Sequence, residues 1–237
     1  MIMQNNNIKQ TNTTNQVAII GAGPAGLMAA EVIAKAGISV HVYDAKPSAG
    51  RKFLLAGVGG MNITHAEPWP QFLQRYPNID PILENALNQF SAEDLRRWIH
   101  ELGIATFVGS SGKVFPIQMK AAPLLRALLH RLRELNVELF MRHQCLDINH
   151  TNIVIRHDNI IKTLEYKSIV LALGGASWPA LGSNGDWQHW PHLQDITIKP
   201  LSPSNCGFNI QWSDYFKTKF AGSPIKNAHL SFIDHNH

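Results

Sequence analysis

Cysteine is scarce: Cys145 and Cys206 are the only two in 237 residues, far apart and in no C-x-x-C spacing. That scarcity excludes a disulfide framework and a zinc ribbon, and it fits a reducing, cytoplasmic setting. Charge is thin as well. Only 16% of residues are charged, the formal net charge is +4, and no block of five or six like charges occurs. Neither a polyanion-binding tail nor a nucleic-acid partner is expected from this pattern. No stretch approaches the roughly 20 continuous apolar residues of a membrane-spanning helix, so no membrane partner is expected. Residues 1–15 are rich in Asn, Thr and Gln and lack the apolar centre of a signal peptide, and they read as a floppy tail. What the chain has in quantity is apolar residues, 45% of the total. A chain this long is expected to bury roughly 70–75% of its unfolded surface and to need no metal for stability.

The patterning begins with Val17-Ala-Ile-Ile20, a short apolar run stopped by Gly21. The glycine pattern Gly21-Ala-Gly23-Pro-Ala-Gly26 follows, then the Ala-rich, helix-favouring stretch from Leu27 to Ala36, ended by Gly37. Ser39 to Asp44 alternates as an extended segment. Strand, glycine turn, helix and strand make a βαβ unit with parallel strands and a right-handed crossover. Pro47 to Thr64 reads as a long, flexible, glycine-rich cationic loop. Two helices are predicted next. Asp80-Pro81 caps the first, which carries Ile82, Leu83, Ala86, Leu87 and Phe90 on one face. A Ser91-x-x-Asp94 capping box starts the second, with Leu95, Trp98, Ile99 and Leu102 inward. A third helix over Ala121 to Leu135 turns Leu124, Leu125, Leu128, Leu132 and Leu135 to one side and leaves Arg126, His130, Arg131 and Arg133 on a solvated face. Val137 to Lys167 reads as a small antiparallel meander, and Ile169 to Leu173 as an apolar strand ending at Gly174-Gly175.

A Gly-x-Gly-x-x-Gly pattern between a strand and a helix permits a tight turn, close backbone approach to a pyrophosphate and tight helix–strand packing. Asp44 stands at the end of the next strand, where a carboxylate can accept ribose hydroxyls. A P-loop is excluded, since no Gly-Lys-Ser/Thr follows. The fingerprint by itself leaves FAD and NAD both open. Arg51 and Lys52, which can neutralise phosphate charge, and the bare turn at Gly174-Gly175 favour FAD. There is no second Gly-x-Gly-x-x-Gly for a separate nicotinamide domain. The histidines are scattered; His229, His235 and His237 read as tail residues, and no metal is expected.

Five stretches carry a family resemblance: GAGPAGLMAAE, GRKFLLAGVGGMNITH, SGKVFPIQMKAAPLLRALL, LALGGASWPALGSNGDW and PSNCGF. Together they resemble the BaiN/YhiN-like family of FAD-dependent oxidoreductases, in its Gly-Gly-Met-Asn branch, from Val17 to about Lys226. The resemblance implies an α/β fold: a Rossmann-like FAD-binding domain with a parallel sheet and an antiparallel β-meander, plus the beginning of an inserted domain. It implies that Gly21, Gly23, Pro24, Ala25 and Gly26 wrap the pyrophosphate and that Asp44 holds the adenosine ribose. Gly50, Arg51 and Lys52 would flank the phosphates and ribityl chain. Gly60, Met61 and Asn62 would lie near the isoalloxazine, and Ala172, Gly174 and Gly175 would close over the cofactor. Many relatives carry Cys at the place of Met61, so a thiol role is absent here, while Asn62 and His65 are candidate polar partners for flavin or substrate. Relatives also continue well past this length, which implies a member shortened at its C-terminus.

The expected organisation is a tail over 1–15, the N-terminal part of an FAD-binding domain over 16–198, and the start of an inserted second domain over 199–237. The expected function is an FAD-dependent oxidoreductase passing hydride through flavin N5 between NAD(P)H and an unknown small organic substrate. Ene reduction of an unsaturated ring is one such reaction. The alternative is a truncated, non-catalytic nucleotide-binding protein. No residue stands out as a catalytic acid or base, and the oligomeric state is left open.

Overall fold

The computed structural model describes residues 16–55, 59–193, 196–202 and 210–223. The expected tail over 1–15, Cys206 and the three histidines near the end lie outside the described residues. The chain divides into two compact units, Met1–Leu201 and Ser202–His237.

In the first unit, β1 (Gln16–Ile20) leads through the glycine turn into α1 (Pro24–Lys35) and then β2 (Ser39–Asp44). Pro24 opens α1 because its fixed φ suits the first helical position and its missing N–H would have had no partner there. A short helix, α2 (Arg51–Leu55), follows. This corrects the reading of 47–64 as loop throughout: Arg-Lys-Phe-Leu-Leu are good helix formers, and Leu54 N–H donates to Gly50 C=O to close the turn. Next come β3 (Thr64–His65), α3 (Trp69–Leu73), α4 (Pro81–Gln89) and α5 (Ala92–Glu101). Asp80 caps α4 by accepting the Ile82 N–H, and Ser91 with Asp94 forms the complete capping box of α5. On the apolar face of α4, Ile82, Leu83 and Phe90 are all exposed. Strands β4 (Thr106–Val108) and β5 (Lys113–Pro116) pair antiparallel, and β3 joins the other side of β5.

Helix α6 (Ala121–Glu134) is followed by β6 (Glu138–Met141), β7 (His143–Ile148), β8 (Asn152–His157), β9 (Ile160–Glu165) and β10 (Ser168–Leu171). The parallel sheet has the order β10-β1-β2-β6, and the antiparallel meander is β7-β8-β9. The expected meander over 137–167 is thus too long at its start, because β6 pairs parallel with β2. Arg142 makes the change of sheet: its backbone has φ 61°, and its N–H donates to Lys46 C=O at 3.0 Å.

The sheet has two buried faces, each set by the period-two alternation of its strands. Val17, Ile19, Val40 and Val42 pack toward Leu27 and Ala30 of α1 and Leu125, Leu128 and Leu132 of α6. Ala18, Ile20 and Tyr43 face the other way and meet Ile153, Ile155 and Tyr166 under the meander. Burial of each such Val, Ile or Leu is worth about 1.5–3 kcal/mol. A third cluster joins Met61, Ile99, Ala121 and Leu124 between α5 and α6.

In the second unit, α7 (Asp214–Phe220) is capped by Ser213, whose hydroxyl accepts the Phe216 N–H. Trp212 stacks on Phe216 with centroids 4.8 Å apart.

Candidate functional site

The C-terminal ends of β1, β2 and β10 meet at one edge of the parallel sheet, where ligands gather in open α/β sheets. Gly21 leaves β1 with φ 110°, and a Cβ there would stand 2.3 Å from the Ala172 carbonyl oxygen just past β10. A Cβ on Gly26 would stand 1.9 Å from the Gly21 oxygen. These two glycines let backbone pack on backbone. Gly23 differs from them. A Cβ there would meet nothing within 4 Å, and the same holds at Gly175. The bare positions at Gly23 and Gly175 therefore face open space.

The hydrogen-bond ladder of α1 begins with Leu27 N–H donating to Gly23 C=O at 2.9 Å. The N–H groups of Gly23, Ala25 and Gly26 precede it, and with the helix dipole they form an anion-binding end. Asp44 supports this turn from the next strand. Its Oδ2 accepts the Ala22 N–H at 2.8 Å and its Oδ1 accepts the Lys46 N–H at 2.7 Å. Gly50 N–H donates to Ala22 C=O at 2.9 Å, which brings α2 beside the same turn. Arg51 and Lys52 are exposed at its start, and the Lys52 ammonium donates to the Ser177 hydroxyl beyond β10. Gly174 and Gly175 are held from behind: Trp187 Nε1 donates to Gly174 C=O at 3.1 Å, and Ser183 Oγ to Gly175 C=O at 2.6 Å.

The residues expected near the ring end of a cofactor divide. Gly60 has φ 137°, and Met61 N–H donates to Met119 C=O at 3.1 Å. The Met61 side chain is buried in the cluster of Ile99 and Leu124, so it supports the site from beneath. Asn62 is engaged locally, its Nδ2 donating to Thr64 C=O at 2.8 Å. His65 is too. Its Nε2–H donates to Ser111 C=O at 2.9 Å, and its Nδ1 accepts the Glu67 N–H at 3.2 Å. Met61 and Asn62 share the walls of an apolar cavity of about 210 Å³ with Pro24, Leu27, Gly50 and Phe53, so this segment reaches the same end of α1.

Two groups behind the site escaped the sequence reading. Glu31 of α1 is almost fully buried and accepts from Trp98 Nε1 of α5 at 2.8 Å, Arg131 Nη1 of α6 at 2.9 Å and Lys35 Nζ at 2.6 Å. Burial alone would raise the Glu31 carboxyl, but these three hydrogen bonds hold it below the ordinary carboxylate value. Arg131 is thereby removed from the solvated face predicted for α6. On the far side of the sheet, His41 Nδ1 lies 2.8 Å from the Tyr166 hydroxyl, which lies 2.6 Å from the Tyr43 hydroxyl. Burial pushes the His41 imidazole down and both tyrosines up. Ser177 and Lys46 are further residues at this sheet edge without a motif of their own, although the Asp44-x-Lys46 spacing is that of an Asx turn.

The family described as HI0933-like protein Rossmann domain matches residues 15–220. The chain belongs to that family. This bears out the resemblance carried by the motifs. The ribosomal RNA dihydrouridine synthase of Haemophilus influenzae is 27% identical over 213 residues, which cover 86% of this chain and 51% of that protein. The Escherichia coli protein of the same name is 28% identical, over 70% of this chain and 41% of its own length. The chain thus spans about half the length, or less, of these curated relatives. The fold is shared with 3-ketosteroid-Δ4-(5α)-dehydrogenase of Rhodococcus jostii, at a TM-score of 0.53 and 16% identity, over 72% of this chain and 48% of that one. No described helix is long and apolar enough to cross a membrane.

Proposed function

We propose that the chain is the FAD-binding part of a flavin-dependent oxidoreductase, with residues 16–198 forming the dinucleotide domain and 199–237 opening a second, inserted one. The observation that carries this reading is the difference between glycines at one sheet edge. Gly21 and Gly26 are locked against backbone, while Gly23 faces open space at the N-terminus of α1. A cradle that a Cβ would narrow at Gly23, beside an anion-binding helix end, fits a pyrophosphate.

When bound, FAD supplies a hydride acceptor and donor at N5, and the protein supplies binding, orientation and electrostatics. The N–H groups ahead of Leu27 would hold its pyrophosphate, and Arg51 and Lys52 would oppose its charge. Each Asp44 oxygen already accepts one backbone N–H and keeps a second lone pair for a ribose hydroxyl. The backbone at Gly60 and Asn62 and that at Ala172, Gly174 and Gly175 would be the groups to meet the cofactor's ring. Met61 contributes only its backbone there. NAD(P)H is the proposed electron donor, and an unsaturated small organic molecule the proposed substrate. The names of the two curated relatives favour a second reading of the substrate, a uracil ring in ribosomal RNA, whose activated carbon–carbon double bond is open to the same reduction.

The test is the visible absorption spectrum of purified chain after addition of FAD and desalting. A retained flavin band that NAD(P)H bleaches, and that is lost in Gly23→Val, is the expected result. A protein that stays colourless, or a Gly23→Val variant retaining as much flavin, overturns the proposal. Reoxidation of the bleached protein by uridine-containing RNA rather than by small enones would select the second substrate.

A further inference from the structure

We propose that Ser183 and Trp187 are positioning residues, which aim the backbone N–H groups of Gly175 and Ala176 at an acceptor oxygen of the bound dinucleotide. The proposal rests on the FAD reading above and adds two side chains and two donors to it.

Residues 174–177 follow β10 outside any helix or strand. Among the described residues, none of their four backbone N–H groups donates to a protein acceptor. The segment is exposed or half-buried, so water serves these groups in the free chain. The carbonyls of Gly174 and Gly175 are instead both engaged. Trp187 Nε1 donates to the first at 3.1 Å, and Ser183 Oγ to the second at 2.6 Å. Every described peptide bond is trans. In a trans unit the C=O and the N–H of the next residue point in opposite directions. Fixing the Gly174 carbonyl on Trp187 therefore turns the Gly175 N–H away from Trp187. Fixing the Gly175 carbonyl on Ser183 turns the Ala176 N–H away from Ser183 in the same manner.

Both anchors are themselves held. Ser183 is buried, and its backbone exchanges two hydrogen bonds of 3.2 Å with Trp178. Trp187 sits in a short 3-10 turn, Asp186–His189. There is room beside the aimed donors, since a Cβ on Gly175 would meet no atom within 4 Å. The segment also belongs to the glycine-turn edge. A Cβ on Gly21 would strike the Ala172 carbonyl, and the Lys52 ammonium of α2 donates to the Ser177 hydroxyl. Successive backbone N–H groups near an ammonium favour full or partial negative charge. The ligand chemistry is thus an acceptor oxygen, from either the pyrophosphate or a carbonyl of the flavin ring.

The experiment compares the parent chain with Ser183→Ala and Trp187→Phe, in FAD titrations and in thermal melts without FAD. Each variant is expected to bind FAD about three- to ten-fold more weakly, because a freed carbonyl lets its peptide unit rotate. The cofactor-free melting temperature is expected to change little, and Ser183→Thr, which keeps the hydroxyl, to restore affinity. ADP serves as a second probe, since it carries a pyrophosphate and no flavin. Weakening of ADP to the same degree assigns the oxygen to the pyrophosphate. Unchanged ADP binding with a shifted visible flavin band assigns it to the ring, and either result supports the proposal. FAD affinity that is unchanged in both variants, or that falls only in step with melting temperature, overturns it and leaves the FAD reading intact. A parent chain that binds no FAD overturns both. If a variant fails to fold, amide hydrogen exchange of the parent chain decides. Protection of Gly175 and Ala176 on addition of FAD supports the proposal, and unchanged exchange rejects it.

Discussion

The carboxylate of Asp44 accepts the backbone N–H of Ala22 at 2.8 Å, tying the end of β2 to the turn that leaves β1. Its other oxygen accepts the Lys46 N–H, so one side chain orders two loops at this sheet edge. Asp44→Ala leaves two half-buried N–H groups without these acceptors, and each costs up to about 1–3 kcal/mol. Cofactor-free Asp44→Ala is therefore expected to melt several degrees below the parent chain, with Asp44→Asn between them because an amide oxygen serves one N–H and its NH₂ repels the other. Thermal melts without FAD check this. An unchanged melting temperature would mean that Asp44 acts on ribose alone.

The glycines of the same turn are expected to separate folding from binding. Gly23 has φ −80° and ψ −178°, an extended conformation open to any residue, and a Cβ there meets no protein atom within 4 Å. Gly23→Ala is expected to match the parent's melting temperature without cofactor and to lose most FAD retention. Gly26→Ala puts a Cβ 1.9 Å from a backbone oxygen, which moves α1 off β1. That variant is expected to lose stability and flavin together. Melts and flavin absorbance on the same samples distinguish the two patterns.

The βαβ unit, the capping box at Ser91 and the leucine face of α6 were legible in the sequence because each rests on local chemistry that a short window contains. The expected contributions of Gly21, Gly23 and Gly26 were legible as a motif, but not the division of labour among them, which depends on Ala172 arriving from about 150 residues away in the chain. The parallel pairing of β6 with β2 was illegible for the same reason. Short apolar strands look alike until tertiary contacts choose a partner. Arg131 reads as one more surface cation in a helical wheel. Only the fold brings Glu31 beneath it.

Glu31 joins three helices through one carboxylate, with Arg131 and Trp98 as its partners on α6 and α5. Glu31 is buried but Arg131 keeps 19% and Lys35 50% of its side chain exposed, so removing the carboxylate costs about 1–3 kcal/mol in lost charged hydrogen bonds rather than leaving a fully buried charge. Glu31→Gln is expected to lose stability in that range in urea unfolding at neutral pH. Glu31→Leu combined with Arg131→Leu is expected to lose less than the two single changes added together, since neither charge is then orphaned. A strictly additive pair would show that the contact contributes nothing. The Glu31 carboxyl is held below its ordinary value in the fold, so its contribution is present above about pH 4.5 and is lost as pH falls through the folded value.

His41 sets an earlier acid limit. Its ring sits between the parallel sheet and the meander, with Gln16, Tyr43, Glu138, Phe140 and Tyr166 around it. Burial lowers its affinity for a proton, and the nearby Glu138 carboxylate offsets this only in part. In the neutral ring Nδ1–H donates to the Tyr166 hydroxyl and Nε2 accepts from the Gln16 amide, so Glu138 becomes a partner only of the charged form. A histidine with a folded pKa below its unfolded one stabilises the fold fully at neutral pH. It loses that contribution as pH falls from about 6.5 toward the folded value, because the unfolded chain takes up the proton first. Melting temperature is therefore expected to fall as pH is lowered below 6.5, before Glu31 is affected. His41→Gln is expected to melt lower at pH 7, since it gives up the ring packing, and to show a flatter profile between about pH 6.5 and 5. Equal slopes for the two proteins across that window would assign the early acid loss to another group.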